Sequence, residues 1–308
     1  MRFQVVFWKT LVDLLSLKRT IALVLIGISF PVIFSLVWRI ELTGTPMSLD
    51  MQTHYIIDNL TVLSFMWIAG LFLAITVAAT AAGFIAKEDT DGTLLLMVSK
   101  PINRFEIVLG KFLALVANAM ILQIIILLLS ALIFWIVLPM DPETFGSVLG
   151  LLPWLLLYSL LVTIAFGGIS TALSTLMRSR VKITLVVMIL IMLVFFVGII
   201  PRVAFRTTYE DYHLYYGDLS YHLGNTYTML IDQAESGQMM PQNQPFMTIF
   251  AGTYKGMEES FDPDIGAMPP SLELTNYVGS GVSVTIWVVI SVLALGLAMW
   301  AVEKKEVH

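Results

Sequence analysis

KEDTDGTLLLMVSKPINRFEIVLGK, residues 87–111, separates two very apolar runs and carries most of the charge lying between them. Glu88, Asp89 and Asp91 precede Gly92, then Thr93 leads into the apolar block Leu94, Leu95, Leu96, Met97 and Val98, and Ser99, Lys100 and Pro101 follow. Asp91 is placed to cap a short helix over Thr93–Ser99, where its charge suits the positive helix end. Pro101 lacks an N–H and disfavours helix at Lys100, so that helix is expected to stop there. Asn103 and Glu106 have capping-box spacing, with Ile102 and Ile107 as a hydrophobic staple, so a second helix is expected to start at Asn103. The product is an apolar helix edged by acids on one side and by Lys100 and Arg104 on the other. Such a helix lies at a membrane surface or docks into a groove of another protein, whereas a plain polar loop has no need of five consecutive apolar residues.

Working outward, the composition fixes the class. Hydrophobic residues make up 58% of the chain and charged residues 13%, against about 25% charged in soluble domains. Mean hydropathy is +0.87. The chain reads as an integral membrane protein. With no cysteine there are no disulfides, thiolate metal sites or cysteine nucleophiles, and a net charge of −5 leaves no broad basic face for nucleic acid.

Six apolar runs free of charge, 21–38, 61–86, 112–138, 148–177, 183–200 and 282–302, each reach the roughly 18 to 20 residues needed to cross about 30 Å of hydrocarbon. The predicted fold is therefore an all-α membrane protein of six transmembrane helices, with Pro31 and Pro153 as possible kinks. Residues 1–20 precede the first span as an amphipathic interfacial helix: Arg2, Lys9, Asp13, Ser16 and Thr20 share one face, and Phe3, Phe7, Trp8 and Leu11 lie among the apolar remainder. The connections containing 1–20, 87–111, 178–182 and 303–308 hold 13 of the 17 Lys and Arg, and the alternate connections hold 4. By the positive-inside rule both termini and the 87–111 stretch are expected in the cytoplasm.

Glu88, Gly92-Thr93-Leu94, Ser99-Lys100-Pro101-Ile102, Arg104 and Gly110-Lys111 together resemble the connection between spans two and three of type-2 ABC transporter permeases. Leu95 and Leu96 depart from that pattern, in which a Glu often follows the Thr-Leu pair. The resemblance extends through the span count, the leading amphipathic helix and the short basic connection Arg178, Ser179, Arg180, Val181 and Lys182 between spans four and five. It implies that the 87–111 connection is a coupling loop whose short helix contacts a separate ATP-binding subunit, docking through Glu88, Asp91, Gly92, Thr93, Leu94, Leu95, Leu96, Met97, Ser99, Lys100, Pro101 and Arg104, and that Arg178, Arg180 and Lys182 make a smaller second contact. The latter three serve equally well as a plain positive-inside anchor. The resemblance further implies two copies of the ATP-binding subunit, a second permease subunit as a homodimer, and export across the cytoplasmic membrane.

No cofactor site is expected in this chain. The sequence lacks G-x-x-x-x-G-K-[ST], so ATP and Mg are expected on the partner. Metalloprotease and hydrolase signatures are missing too, and no ionisable residue stands in the six runs, where one costs about 2.5–3.5 kcal/mol at mid-bilayer. The organisation expected is 1–20 interfacial helix, 21–200 spans one to five, 201–281 an extracytoplasmic domain of roughly 80 residues, and 282–308 the sixth span and tail. The outer segment has ten acids against three bases, which points weakly to a cationic ligand or a basic extracytoplasmic protein partner. Asp211, His213, Asp218 and His222 match no established metal-ligand spacing and are read as solvated surface. Small residues at Gly70, Ala74, Ala78, Ala81 and Ala82 and at Gly167, Gly168, Thr171, Ala172 and Thr175 suit close helix packing within the chain. Two alternatives remain: an ATP-independent carrier using hydroxyls such as Thr76, Thr80, Ser130 and Thr163, and a membrane scaffold whose outer domain recruits a partner.

Overall fold

A computed structural model describes residues 2–44, 48–90, 103–234, 243–256 and 272–304. Helix α1 (Arg2–Leu14) precedes α2 (Leu17–Gly44); the second span is α3 (Leu49–Leu63), a π-helical stretch (Ser64–Leu71), α4 (Phe72–Ala81) and, after a turn, α5 (Ala86–Thr90). Helices α6 (Arg104–Val137) and α7 (Pro142–Leu176) form spans three and four, and span five is α8 (Arg180–Met192), a second π-helical stretch (Leu193–Val197) and α9 (Ile199–Ala204). Then come α10 (Arg206–Asp211), α11 (Leu219–Asp232), α12 (Gln244–Phe250), strands β1 (Tyr254–Gly256) and β2 (Leu272–Leu274), and α13 (Ser280–Lys304). Among the described residues six helices are long and apolar enough to cross a membrane, and there the all-α expectation holds apart from one short antiparallel pair, Tyr254 opposite Leu274.

The ends of these helices follow from local chemistry. Asp141 caps α7 by accepting from the Thr144 amide at 2.7 Å, and Pro142 occupies the first turn, where its missing N–H costs nothing. Pro31 and Pro153 both lie inside unbroken helices. The second span starts at Leu49 and so includes Asp58, which is buried. Lys111 in α6 and Arg202 in α9 are buried as well. All three lie just outside the six charge-free runs, because hydropathy marks only the middle of each helix and the helices run on past it.

Helix α7 is the hub. Its small residues pack against α4, and Ser170 Oγ donates to the Ala78 carbonyl at 2.7 Å. A Cβ on Gly167 would lie 2.9 Å from Leu115 and 3.0 Å from Val77, so the small-residue faces serve packing within the chain. Helix α7 also carries Tyr158 and Phe166 into an aromatic cluster with Phe65, Phe195, Tyr227 and Trp287. The π-helical stretch explains Gly70: a Cβ there would lie 1.8 Å from the Phe65 carbonyl oxygen, so the wider turn admits only glycine at that point.

Helix α1 packs one face against α6 and leaves Lys9 and Asp13 exposed. Val6, Leu11 and Leu14 are buried while Val5, Trp8 and Val12 are exposed, and Val6 rests on Gly110, where a Cβ would meet it at 3.1 Å.

The described residues following α9 fold onto the helix ends. Tyr227 donates its hydroxyl to the Thr61 carbonyl at 2.6 Å, and Asn225 Nδ2 donates to Ser283 Oγ and the Val278 carbonyl. The reading of Asp218 and His222 as solvated surface is corrected. His222 is fully buried between Ser283 Oγ and the Tyr216 carbonyl, and Asp218 pairs with Arg202 at 2.7 Å. Neither contact can be read from spacing, because each joins residues brought together only by the fold. Asp211 and His213 are exposed.

Candidate functional site

Ten of the residues singled out in the 87–111 connection, Asp91, Gly92, Thr93, Leu94, Leu95, Leu96, Met97, Ser99, Lys100 and Pro101, lie outside the described residues. Those that flank them, Glu88 and Arg104, are anchored. The carboxylate of Glu88 forms an ion pair with Lys111 Nζ, and Lys111 also donates to the Phe84 carbonyl at 2.6 Å. The two ends of the connection are thus tied to each other and to the turn between α4 and α5. An ammonium placed away from water needs such partners, and here it has a charge and a carbonyl.

The same turn is held from behind by α7. Ser174 Oγ accepts from the Ile85 amide at 2.9 Å and from the Ala86 amide at 3.2 Å. Ser174→Ala removes the acceptor that both buried amides use, so a loss of about 1–3 kcal/mol is expected, read as a lower melting temperature in mild detergent. An unchanged melt would show the turn to be held by other contacts.

Two arginines converge one turn earlier. Arg19 donates to Thr80 Oγ1, and Arg180 Nη2 reaches the Ala79 carbonyl at 3.5 Å while its side chain lies along Gly83. The short basic connection therefore stands beside the end of α4 and the turn that follows it. Arg178, Arg180 and Lys182 are exposed, and Ser179 caps α8. Arg104 donates to the carbonyls of Val302 and Glu303 at the last turn of α13, where donors suit the negative helix end.

The capping expectation is half met. Asn103 is the residue before α6, as the spacing predicts, yet its side chain caps no amide. Ile102, the other half of the staple, lies outside the described residues. Lys111, Ser174, Arg19 and Phe84 escaped the sequence reading as site residues. Only Lys111 left a trace there, as the polar residue closing the connection. Of the hydroxyls that a carrier would use, Ser130 bonds within its own helix and Thr80 receives Arg19.

A family model described as ABC-2 family transporter protein matches residues 4–307, nearly the whole chain. The chain belongs to that family. The ABC-2 protein is thus a multi-pass membrane permease component of an ABC transporter, a transmembrane part and not itself the enzyme. Membership brings with it the lipid bilayer and an ATP-binding partner. No curated protein matched the sequence.

Proposed function

We propose that this ABC-2 permease works as a pair of identical subunits with two separate ATP-binding subunits. Its basic end faces the cytoplasm of a cell whose cytoplasmic membrane it spans, and it exports its substrate. The ATP-binding subunit, carrying ATP and Mg, docks on the segment from Asp91 to Pro101 and makes a second contact at Arg178, Arg180 and Lys182. The observation that carries this reading is the tie between Glu88 and Lys111 with its bond to the Phe84 carbonyl. A connection whose ends are joined passes a push to spans two and three together, while a slack one absorbs it. Ser174 and Arg104 extend that path to spans four and six.

The test is co-purification of the full chain from its own cells in mild detergent, with ATPase activity and mass spectrometry of what is retained. A cassette ATPase in equal amount is expected with the unaltered chain. Replacing Leu94, Leu95, Leu96 and Met97 by serine and glutamine is expected to remove that ATPase at an unchanged melting temperature. Absence of an ATPase from the unaltered preparation, or its undiminished recovery with the polar variant, defeats the docking assignment.

A further inference from the structure

We propose that Arg19 and Arg180 form a binding site for the phosphate of an anionic phospholipid, in the bilayer leaflet at the basic end of the chain. The two side chains reach the same place from different spans. Arg19, in the first turn of α2, donates to Thr80 Oγ1. Arg180, the first residue of α8, reaches the Ala79 carbonyl at 3.5 Å and lies along Gly83. Their anchors are adjacent residues of α4, so the two guanidinium groups flank the end of one helix, near enough for the charge of Arg180 to act on Arg19. No carboxylate pairs with either of them among the described residues, and Glu88, which follows the turn, is held by Lys111. Two like charges side by side repel, and an anion between them turns the repulsion into attraction.

Donors and position select the ligand class. Each guanidinium has five N–H donors and no acceptor, and one hydrogen bond from each is made among the described residues. The oxygens beside them, Thr80 Oγ1 and the Ala79 carbonyl, already accept from the pair, so what the site offers is donors. Forked donors fit the oxygens of a phosphate. Arg19 and Arg180 stand immediately before the charge-free runs 21–38 and 183–200, at the depth of the headgroups, and basic pockets between spans are a recognised seat for anionic ones. Beyond them Ile21 and Leu25 on α2 and Val181 and Leu185 on α8 are exposed, an apolar surface for acyl chains. The apolar stretches of spans one and five are 17% and 33% buried, against 61% for span two, which leaves both open to lipid.

The site shares Arg180 with the proposed docking contact, but binding is read on the permease alone, so either assignment can fail without the other. The full chain, depleted of lipid in mild detergent, is titrated with dioleoyl phosphatidylglycerol or dioleoyl phosphatidylcholine, and bound lipid is counted by native mass spectrometry. Phosphatidylglycerol is expected to bind saturably and about tenfold more tightly than phosphatidylcholine. Arg180→Gln and Arg19→Gln are each expected to weaken it about tenfold, and Lys18→Gln, which removes the same charge beside Arg19, by a smaller factor. Arg180 is exposed, so its variant decides the matter where Arg19→Gln fails to fold. Inorganic phosphate in excess is expected to leave the lipid in place; displacement would make this a site for free phosphate. The proposal is overturned by that displacement, by equal binding of the two lipids, or by an Arg180→Gln effect no larger than that of Lys18→Gln. A dimer that takes up no lipid overturns it too, and gives this face to a second copy of the chain.

Discussion

Lys111→Met is expected to destabilise the detergent-solubilised chain by about 3 kcal/mol, near the low end for breaking a buried ion pair from one side. Lys111 is almost fully enclosed, while its partner Glu88 keeps a fifth of its side-chain surface in contact with solvent, which softens the penalty. The groups that lose this partner are the Glu88 carboxylate and the Phe84 carbonyl. Adding Glu88→Gln removes the charge that Lys111 balances, so the double variant should recover part of the loss and retain at least the deficit of the missing bond to Phe84, about 1 kcal/mol. The difference between single and double variants isolates the pair from the surrounding packing. A single variant that melts like the unaltered chain, or a double variant no better than the single, would show that the pair does not hold the two ends together. Under the proposed function the recovered double variant keeps its fold and loses coupled ATPase stimulation, because its tie is gone.

The second large effect is expected on the other side of the bundle. Arg202 meets Asp218 through two parallel contacts, at 2.7 and 3.0 Å, and donates a third bond to the Ile249 carbonyl at 3.1 Å. Asp218 also caps α11 through the Ser220 and Tyr221 amides and accepts from the Tyr209 hydroxyl. Two glycines give the guanidinium its space. A Cβ on Gly198 would lie 2.2 Å from Arg202 Nη2 and 2.7 Å from Asp218 Oδ1, and Gly252, at φ +70°, would bring one within 2.9 Å of the Arg202 chain. Gly198→Ala must therefore push the pair apart, and both Gly198→Ala and Arg202→Met are expected to cost about 3–5 kcal/mol. The loss should be confined to residues 206–279, read as faster protease cleavage and faster amide exchange in α11. The combination Arg202→Met with Asp218→Asn should regain part of it, since asparagine still caps the helix. Resistance to protease unchanged in Gly198→Ala would refute this account of the two glycines.

The two sites differ in how much of them could be foreseen. Span number, the leading amphipathic helix and the basic end depend on runs of similar residues, and such runs survive translation into structure because each helix needs only its own sequence. The start of α6 next to Asn103 was legible for the same reason. Lys111, Ser174 and Arg19 were not, because their partners stand 23 or more positions away and no spacing along one helix records them. Asn103 shows the limit of even local reading: its helix begins where the spacing says, while its amide takes no part in capping. Asp218 and His222 looked like surface because the segment is acidic on average, and an average cannot distinguish a carboxylate facing water from one facing Arg202.

The π-helical stretches Ser64–Leu71 and Leu193–Val197 belong to different spans but meet, Phe65 lying 6.3 Å from Phe195 and Gly70 keeping the space between them. A π turn stores one residue more than an α turn of similar height. Moving that surplus along a span by one position turns the backbone it passes by about 100°, one residue's share of a 3.6-residue turn. Spans two and five therefore each carry a reserve of rotation at their point of contact. The helix that leads to the Glu88 tie and the helix that leads to the Arg202 clamp can be reset in angle without being made longer or shorter.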